Sequence, residues 1–234
     1  MQTFSVTPDV LKELTRRRGK LHPYEQLAPA KTALLVVDMQ NYFMAEGEPA
    51  CCPPARDIVP NVNALAAKVR VTGGLVVWIQ TEAKPETPDD WANLYECYSP
   101  EAREKRQENL AQDGSGFPLW PTLVTAPQDA RVIKTRYSAF IQGSSNVEDV
   151  LRGRGIETVL VAGVATNVCC ESTARDAMMR GFRTIMVSDA NAAFTQENHE
   201  HALRNFLITF GDVQSTDEVI GRLDAGARTA RAAE

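Results

Sequence analysis

The chain has 234 residues, the length of a single α/β domain, of which 44% are hydrophobic and 24% are charged. This composition excludes disordered and fibrous proteins. The net charge of −5 is spread along the chain without a long basic block, so it does not indicate nucleic-acid binding. Apolar runs such as residues 33–37 are too short to span a bilayer, and no secretory signal is visible. We therefore expect a cytoplasmic protein without a membrane anchor.

The five cysteines are an odd number, and in a reducing compartment we expect all of them to be free thiols. Cys51 and Cys52 are neighbours followed by two prolines, which is too tight a spacing for a four-ligand zinc site. Cys169 and Cys170 are also neighbours. The count alone leaves open whether one of these thiols is a nucleophile.

Short β-branched runs alternate with amphipathic stretches, which predicts a three-layer, Rossmann-like α/β fold in one domain, residues 1–234. Residues 1–30 come first and are expected to lie on the body as an arm. The predicted sheet is mostly parallel and doubly wound, with about six strands at residues 32–38, 75–79, 131–134, 158–162, 183–188 and 213–215. Predicted helices cover residues 59–71, 146–152, 168–180 and 196–209, a closing helix ends near residue 223, and residues 225–234 are expected to fray.

Residues 81–130 interrupt this alternation, because they contain six prolines and only one predicted helix, at residues 100–112. The aromatic residues of this excursion could form a lid over a site or a contact between subunits. A solvated connection with its own small core is the alternative.

Three chemically active groups follow predicted strands. Asp38 ends the first strand, Lys134 ends the third, and the fourth leads to Cys169 and Cys170 near a predicted helix start. Ligands of open parallel sheets bind at the carboxyl edge of the strands, so we expect a carboxylate, an ammonium and a thiol at one edge. Taken singly, Asp38 could cap a turn, Lys134 could be a surface lysine, and the cysteines could be small core residues.

The helix after the fourth strand is predicted to be capped by Thr166 or Asn167, which places a cysteine in its first turn. There the helix dipole and a nearby lysine would lower the pKa of the thiol. The small residues Gly163 and Ala165 would let backbone N–H groups approach a substrate oxygen. Adjacent helical positions point about 100° apart, so only one of the two thiols can face the carboxylate and the ammonium. The helical period does not show which of the two it is.

Three segments resemble, in order and spacing, the signature blocks of the isochorismatase-like cysteine hydrolases. They are LLVVDMQNYF at residues 34–43, VIKTRYSAF at residues 132–140 and GVATNVCCESTARDA at residues 163–177. The resemblance covers roughly residues 30–223. Within this superfamily, the second and third segments are most similar to those of the ureidoacrylate amidohydrolases.

This resemblance implies a catalytic triad of Asp38, Lys134 and Cys169, with Cys170 as a neighbour outside the chemistry. Asp38 would take the proton of the Cys169 thiol, while Lys134 keeps the carboxylate ionised. The sulfur would then attack a small linear amide, ureide or carbamoyl compound, form a thioester and release ammonia or an amine. Since relatives are commonly homo-oligomers, an assembly of identical chains is also implied.

The resemblance further implies a cis peptide bond between Val164 and Ala165. With it, the backbone N–H groups of Ala165 and Cys169 would form an oxyanion hole. Gln40 and Phe43 lie in the first signature block and are expected to shape the substrate site.

The three histidines bear on metal binding. Nicotinamidases share the implied triad but hold a metal through an aspartate and nearby histidines, whereas His22, His199 and His201 lie outside that region. We therefore expect neither a metal nor another cofactor. His199 and His201 are two positions apart on a predicted helix, cannot share a face, and are expected at the surface or an edge.

Substrate-lining candidates follow the second and third strands or lie in the excursion: Trp78, Gln80, Glu82, Tyr98, Arg136 and Tyr137. Arg136 could pair with a substrate carboxylate or form an ion pair within the chain. Two other functions stay open beside metal-independent C–N hydrolysis. A vinyl ether hydrolase of the isochorismatase type would use Asp38 as an acid and need no thiol, and a catalytically silent domain would serve binding or assembly.

Overall fold

The computed structural model describes residues 1–83 and 91–232, and within them a six-stranded sheet has every pair of neighbouring strands parallel. The strands are β1 (Thr32–Val37), β2 (Leu75–Thr81), β3 (Ala130–Lys134), β4 (Thr158–Val164), β5 (Arg183–Ala192) and β6 (Asp212–Gln214). Their order is β3-β2-β1-β4-β5-β6. This is the doubly wound Rossmann order, so the predicted fold class is confirmed.

The helices are α1 (Pro8–Arg18), α2 (Asn41–Met44), α3 (Val59–Val71), α4 (Ala92–Glu96), α5 (Pro100–Asn109), α6 (Val147–Gly153), α7 (Glu171–Met179), α8 (Gln196–Thr209) and α9 (Thr216–Ala232). A π-helical turn, Thr166–Cys170, leads directly into α7. None of the helices in the described ranges is long and apolar enough to cross a membrane.

The last helix corrects one prediction. The closing helix does not end near residue 223, because α9 continues to Ala232. The helix passes so close to the N-terminal segment that a Cβ atom on Gly226 would lie 2.0 Å from the carbonyl oxygen of Leu27. At Gly226, α9 therefore packs against residues that precede the sheet.

Alternate residues of each strand face two separate cores. On one side Leu34 and Val36 of β1 pack with residues of α3 and α9. On the other side Ala33 and Leu35 pack with residues of α6, α7 and α8, and Leu14 of α1 adds a fully buried contact from the arm. Because both faces are covered, the central strands are apolar at nearly every position.

The ends of β1 and β4 lie unusually close together. Gly163 has a φ of +120°, and a Cβ atom there would lie 2.0 Å from the carbonyl oxygen of Val37, so only glycine fits. Asp38 follows directly with a φ of 55°, a left-handed conformation that aspartate tolerates better than most residues. The ends of β1 and β4 are thus adjacent at the carboxyl edge of the sheet.

The described part of the excursion returns across this edge. Leu119 forms an antiparallel bridge with Gln40, and the carbonyl groups of Gly116 and Pro118 accept hydrogen bonds from Tyr42 and Asn41. The predicted helix at residues 100–112 is present as α5 and ends at Asn109. Residues 84–90 of the excursion lie outside the described ranges.

Candidate active site

Four neighbouring strands end at one cluster of buried polar side chains. Lys134 ends β3, Thr81 ends β2, Asp38 follows β1, and Cys169 lies in the turn after β4. Each of the four is at most 7% exposed. The structure thus brings together the carboxylate, the ammonium and one thiol that the sequence placed at strand ends.

Lys134 is fully buried and uses its ammonium group on three partners. Its Nζ lies 2.8 Å from Oδ2 of Asp38 and donates hydrogen bonds to Oγ1 of Thr81 at 2.6 Å and to the carbonyl of Arg136 at 2.9 Å. Burial alone would lower the pKa of Lys134, but the charge of Asp38 and the hydrogen bond to it outweigh burial and raise that pKa. The lysine is therefore a fixed positive charge in the site.

Thr81 links this ion pair and was missed by the sequence analysis. Its hydroxyl accepts the hydrogen bond from Lys134 and donates one of 2.8 Å to Oδ1 of Asp38. The predicted strand stopped at residue 79, whereas β2 continues to Thr81 and pairs it with Lys134. The two-residue extension carries the hydroxyl to the strand end.

Cys169 is the thiol that faces the ion pair. Burial, together with the charge of Asp38 and a side-chain hydrogen bond to it, raises the pKa of Cys169 to about 12. The predicted lowering of this pKa is therefore wrong, because burial and the carboxylate outweigh the lysine. The resting thiol is protonated and lies beside a carboxylate that can take its proton. Burial also raises the pKa of Cys170, which is 0% exposed.

The helix start after β4 also differs from the prediction. The N-cap is Ala165, not Thr166 or Asn167, and the first turn is π-helical. Within the described residues, the carbonyl of Ala165 accepts hydrogen bonds from the N–H groups of Val168 and Cys170, but not from that of Cys169 between them. The peptide bond between Val164 and Ala165 is cis, as the resemblance implied.

Gln40 and Gln80 hold the backbone around the site. The amide of Gln40 donates to the carbonyls of Thr81 and Phe117 and accepts from the N–H of Thr81 at 2.7 Å. The amide of Gln80 donates to the same Phe117 carbonyl at 2.9 Å. Phe43 is half-buried and packs edge-on against Tyr42. The two glutamines thus connect the excursion to β1 and β2.

The other substrate-lining candidates lie either in the hydrophobic core or at the rim of the site. Trp78 does not line a pocket, because it is fully buried in a core and its indole N–H donates to Asp129. Arg136 lies over the ring of Trp91 and donates to Thr135. Tyr137 contacts Trp91 edge-on, and burial is the largest cause that raises its pKa, with a smaller effect of the nearby Cys169. The last two residues therefore lie at the rim of the site.

His199 corrects the expectation of a surface histidine. It is fully buried, and its Nδ1 is 2.9 Å from Oγ1 of Thr166 in the π-helical turn, whereas His201 is exposed. Burial lowers the pKa of His199 to about 4, so the ring is neutral. Within the described ranges, no group of three histidine, cysteine, aspartate or glutamate side chains is arranged to hold a metal.

Arg106 of α5 is a second residue that the sequence analysis missed. It is 6% exposed, and its charge acts on both Lys134 and Cys169. The neighbouring basic residues Arg103 and Lys105 are exposed. In the sequence all three residues belong to one uniformly polar predicted helix, so no hydrophobic pattern indicated that Arg106 is buried.

A doubly wound sheet with a buried thiol, carboxylate and ammonium at its carboxyl edge defines a class of α/β hydrolytic domain. The sequence profile of the isochorismatase domain matches residues 32–218. The chain belongs to the isochorismatase family of hydrolases.

Individual relatives are similar over most of their length. The ureidoacrylate amidohydrolase RutB of Klebsiella pneumoniae is 30% identical over 228 residues, which cover 88% of this chain and 93% of the relative. A cysteine hydrolase from Pseudomonas syringae pv. phaseolicola 1448A superposes with a TM-score of 0.76 at 28% identity, over 86% of this chain and 95% of its own. An N-carbamoylsarcosine amidase from Thermoplasma acidophilum superposes with a TM-score of 0.64 at 28% identity, over 80% and 97%.

Proposed function

We propose that this chain hydrolyses the C–N bond of a small linear amide, ureide or carbamoyl compound through a thioester on Cys169. The observation that carries the proposal is the buried Asp38–Lys134 ion pair, 2.8 Å long, at the strand ends where the buried Cys169 also lies, close enough for both charges to act on its thiol. A thiol next to an oriented base is the arrangement that nucleophilic catalysis requires. The named activities of the ureidoacrylate amidohydrolase and the carbamoylsarcosine amidase support a C–N substrate.

In the first step Asp38 accepts the thiol proton as the sulfur attacks the carbonyl carbon. The new C–S bond converts the carbonyl oxygen to an oxyanion. When the C–N bond breaks, protonated Asp38 returns its proton to the departing nitrogen, which leaves as ammonia or an amine. The acyl group remains on Cys169 as a thioester. Lys134 keeps Asp38 ionised between these transfers.

The oxyanion would be held by the backbone N–H groups of Ala165 and Cys169. Within the described residues, the Ala165 carbonyl accepts no hydrogen bond from the N–H of Cys169, which supports this role. Each such donor supplies a factor of about 10²–10³ in kcat. In the second step Asp38 takes a proton from water, the hydroxide attacks the thioester, and the proton returns to the Cys169 sulfur as the acid leaves.

The neighbouring thiols provide a matched test. We expect Cys169→Ala to lower ammonia release from a panel of primary amides and ureides by about 10⁴-fold or more. Cys170→Ala is the control and should retain most of the activity, because a side-chain interaction with Asp38 contributes to the pKa shift of Cys169 but not to that of Cys170. Equal losses in the two variants would contradict the assignment of the nucleophile.

The same panel, extended by a vinyl ether, separates the alternatives. Vinyl ether cleavage would persist in Cys169→Ala and disappear in Asp38→Ala, since it needs an acid but no thiol. A silent binding domain would release no ammonia from any member of the panel.

A further inference from the structure

The turn that carries Cys169 differs from an ordinary helix start in its hydrogen bonds. In an α-helix the N–H of Cys169 would donate to the carbonyl of Ala165, four positions earlier. Among the residues that the structure describes, that carbonyl instead accepts from Val168 and Cys170. Relaxation of the turn to an α-helix would close the N–H of Cys169 on this carbonyl and remove it from the proposed oxyanion hole.

A π-helical turn is a rare conformation, found mostly as a single turn and frequently at functional sites, so it needs support from the surrounding structure. Here the N–H of Glu171 donates to the carbonyl of Thr166, and this hydrogen bond spans Cys169. Thr166 is the first residue of the turn. A contact that fixes Thr166 therefore also fixes the conformation of the segment that contains Cys169.

Thr166 is held by His199 of α8. Nδ1 of the histidine lies 2.9 Å from Oγ1 of the threonine, and both side chains are fully buried. The start of α8 fixes the histidine in turn, because Thr195 caps this helix through the N–H of Asn198 and its carbonyl accepts from the N–H of His199. The other ring nitrogen, Nε2, is buried and has no hydrogen-bond partner within residues 1–83 and 91–232. In this part of the chain, the ring therefore forms one hydrogen bond, the one to Thr166.

Packing alone does not explain why a histidine is buried at this position. Burying a ring nitrogen that has no partner destabilises the folded state, and an apolar side chain of similar volume would avoid that cost. The hydrogen bond to Thr166 has a geometric effect, because it fixes the first side chain of the turn against α8. The role of His199 therefore lies in the turn.

We propose that His199 is a positioning residue for the hydrolysis: its hydrogen bond to Thr166 holds the turn in the π-helical conformation, which keeps the N–H of Cys169 available for the oxyanion. Without that bond the turn relaxes toward an α-helix, and the N–H of Cys169 closes on the carbonyl of Ala165. His199 acts through the turn and transfers no proton. The inference rests on the proposed function, because it assumes that Cys169 attacks a carbonyl group.

Steady-state kinetics of variants on both sides of this hydrogen bond test the inference. Thr166→Val and His199→Leu each remove the bond and keep most of the side-chain volume. We expect each to lower kcat on the best panel substrate by about 10–100-fold, which is less than the complete loss of an oxyanion-hole donor, and to change KM by less than about twofold. The double variant should be within about twofold of the slower single variant, because both changes remove the same interaction.

Conservative variants separate positioning from packing. Thr166→Ser keeps the hydroxyl, and the side-chain amide in His199→Asn can take the place of Nδ1, so both should recover most of kcat. His201→Gln is the matched control and should leave kcat unchanged, because His201 lies on the same helix and is exposed. Either of the two apolar variants is sufficient, so the test stays valid if one of them does not fold.

Crystal structures of Thr166→Val and His199→Leu test the conformation of the turn without any substrate. We expect the N–H nitrogen of Cys169 to lie within about 3.2 Å of the Ala165 carbonyl oxygen in these variants and beyond hydrogen-bond distance of it in the wild-type chain. A turn that stays π-helical in the variants would overturn the inference. Wild-type kcat in His199→Leu, or a loss in His199→Asn equal to that in His199→Leu, would also overturn it.

The two proposals fail on different results. Cys169-dependent ammonia release that is unchanged in Thr166→Val and His199→Leu would overturn only the role of His199. A wild-type chain that releases no ammonia from any member of the panel would overturn the proposed function, and the crystal structures would still decide whether His199 sets the conformation of the turn.

Discussion

Asp38 and Lys134 form a buried ion pair whose geometry depends on a third side chain. The Thr81 hydroxyl accepts a hydrogen bond from Lys134 and donates one to Asp38, so it sets the orientation of both groups. Since the resting thiol is protonated, the carboxylate must be correctly aimed to remove its proton. Thr81 is thus a positioning residue for the base.

We expect Thr81→Val to lower kcat by about 10–100-fold with little change in KM, because it removes both hydrogen bonds at constant shape. Steady-state kinetics on the best panel substrate, measured across pH, provide the readout. Thr81→Ser restores the hydroxyl and should recover most of kcat. A Val variant with wild-type kcat, or a Ser variant as slow as Val, would show that Thr81 only packs.

At the scale of elements, the π-helical turn Thr166–Cys170 is anchored by α8 through His199. Unfolding exposes this histidine and lets it take up a proton that the folded state binds only near pH 4. The unfolded state therefore binds more protons as pH falls below about 6.5, and stability decreases over the range from 6.5 to 4.

From this shift we expect proton uptake by His199 on unfolding to lower the free energy of unfolding by about 2 kcal/mol between pH 7 and pH 4.5. Urea denaturation at the two pH values measures the loss. His199→Asn, whose amide can still contact Thr166, should show a correspondingly smaller loss. His201→Gln is the control, because His201 is exposed on the same helix. An unchanged pH dependence in His199→Asn would rule out this account.

Regular elements were predictable because their periods are strong. The predicted limits of α3 and α8 match the structure, since buried apolar positions recur every three to four residues in both. The π-helical turn was not predictable, because a cap residue and an α-helical start are the usual pattern after a strand. Trp78 was misplaced because a strand residue near the edge was assumed to face the ligand rather than Asp129.

At the scale of the molecule, the strand order explains why the site could be anticipated. The order β3-β2-β1-β4 places Lys134, Asp38 and Cys169 at one edge, although 131 positions separate the first and last of these in the sequence. Strand-end position nominated Asp38, Lys134 and the pair of cysteines at 169 and 170, and the family resemblance then selected Cys169. Arg106 is buried on an excursion without periodicity, so only three-dimensional packing reveals its burial.

The most direct test of the central claim is to locate the acyl group during turnover. Acid quenching of the wild-type chain with its best amide or ureide substrate, followed by digestion and mass spectrometry, should place on Cys169 the mass of the substrate without its leaving amine. Neutral hydroxylamine reacts with thioesters, so in its presence the product should be a hydroxamate instead of the acid. Release of ammonia with no hydroxamate and no adduct, or an adduct on Cys170, would contradict the account.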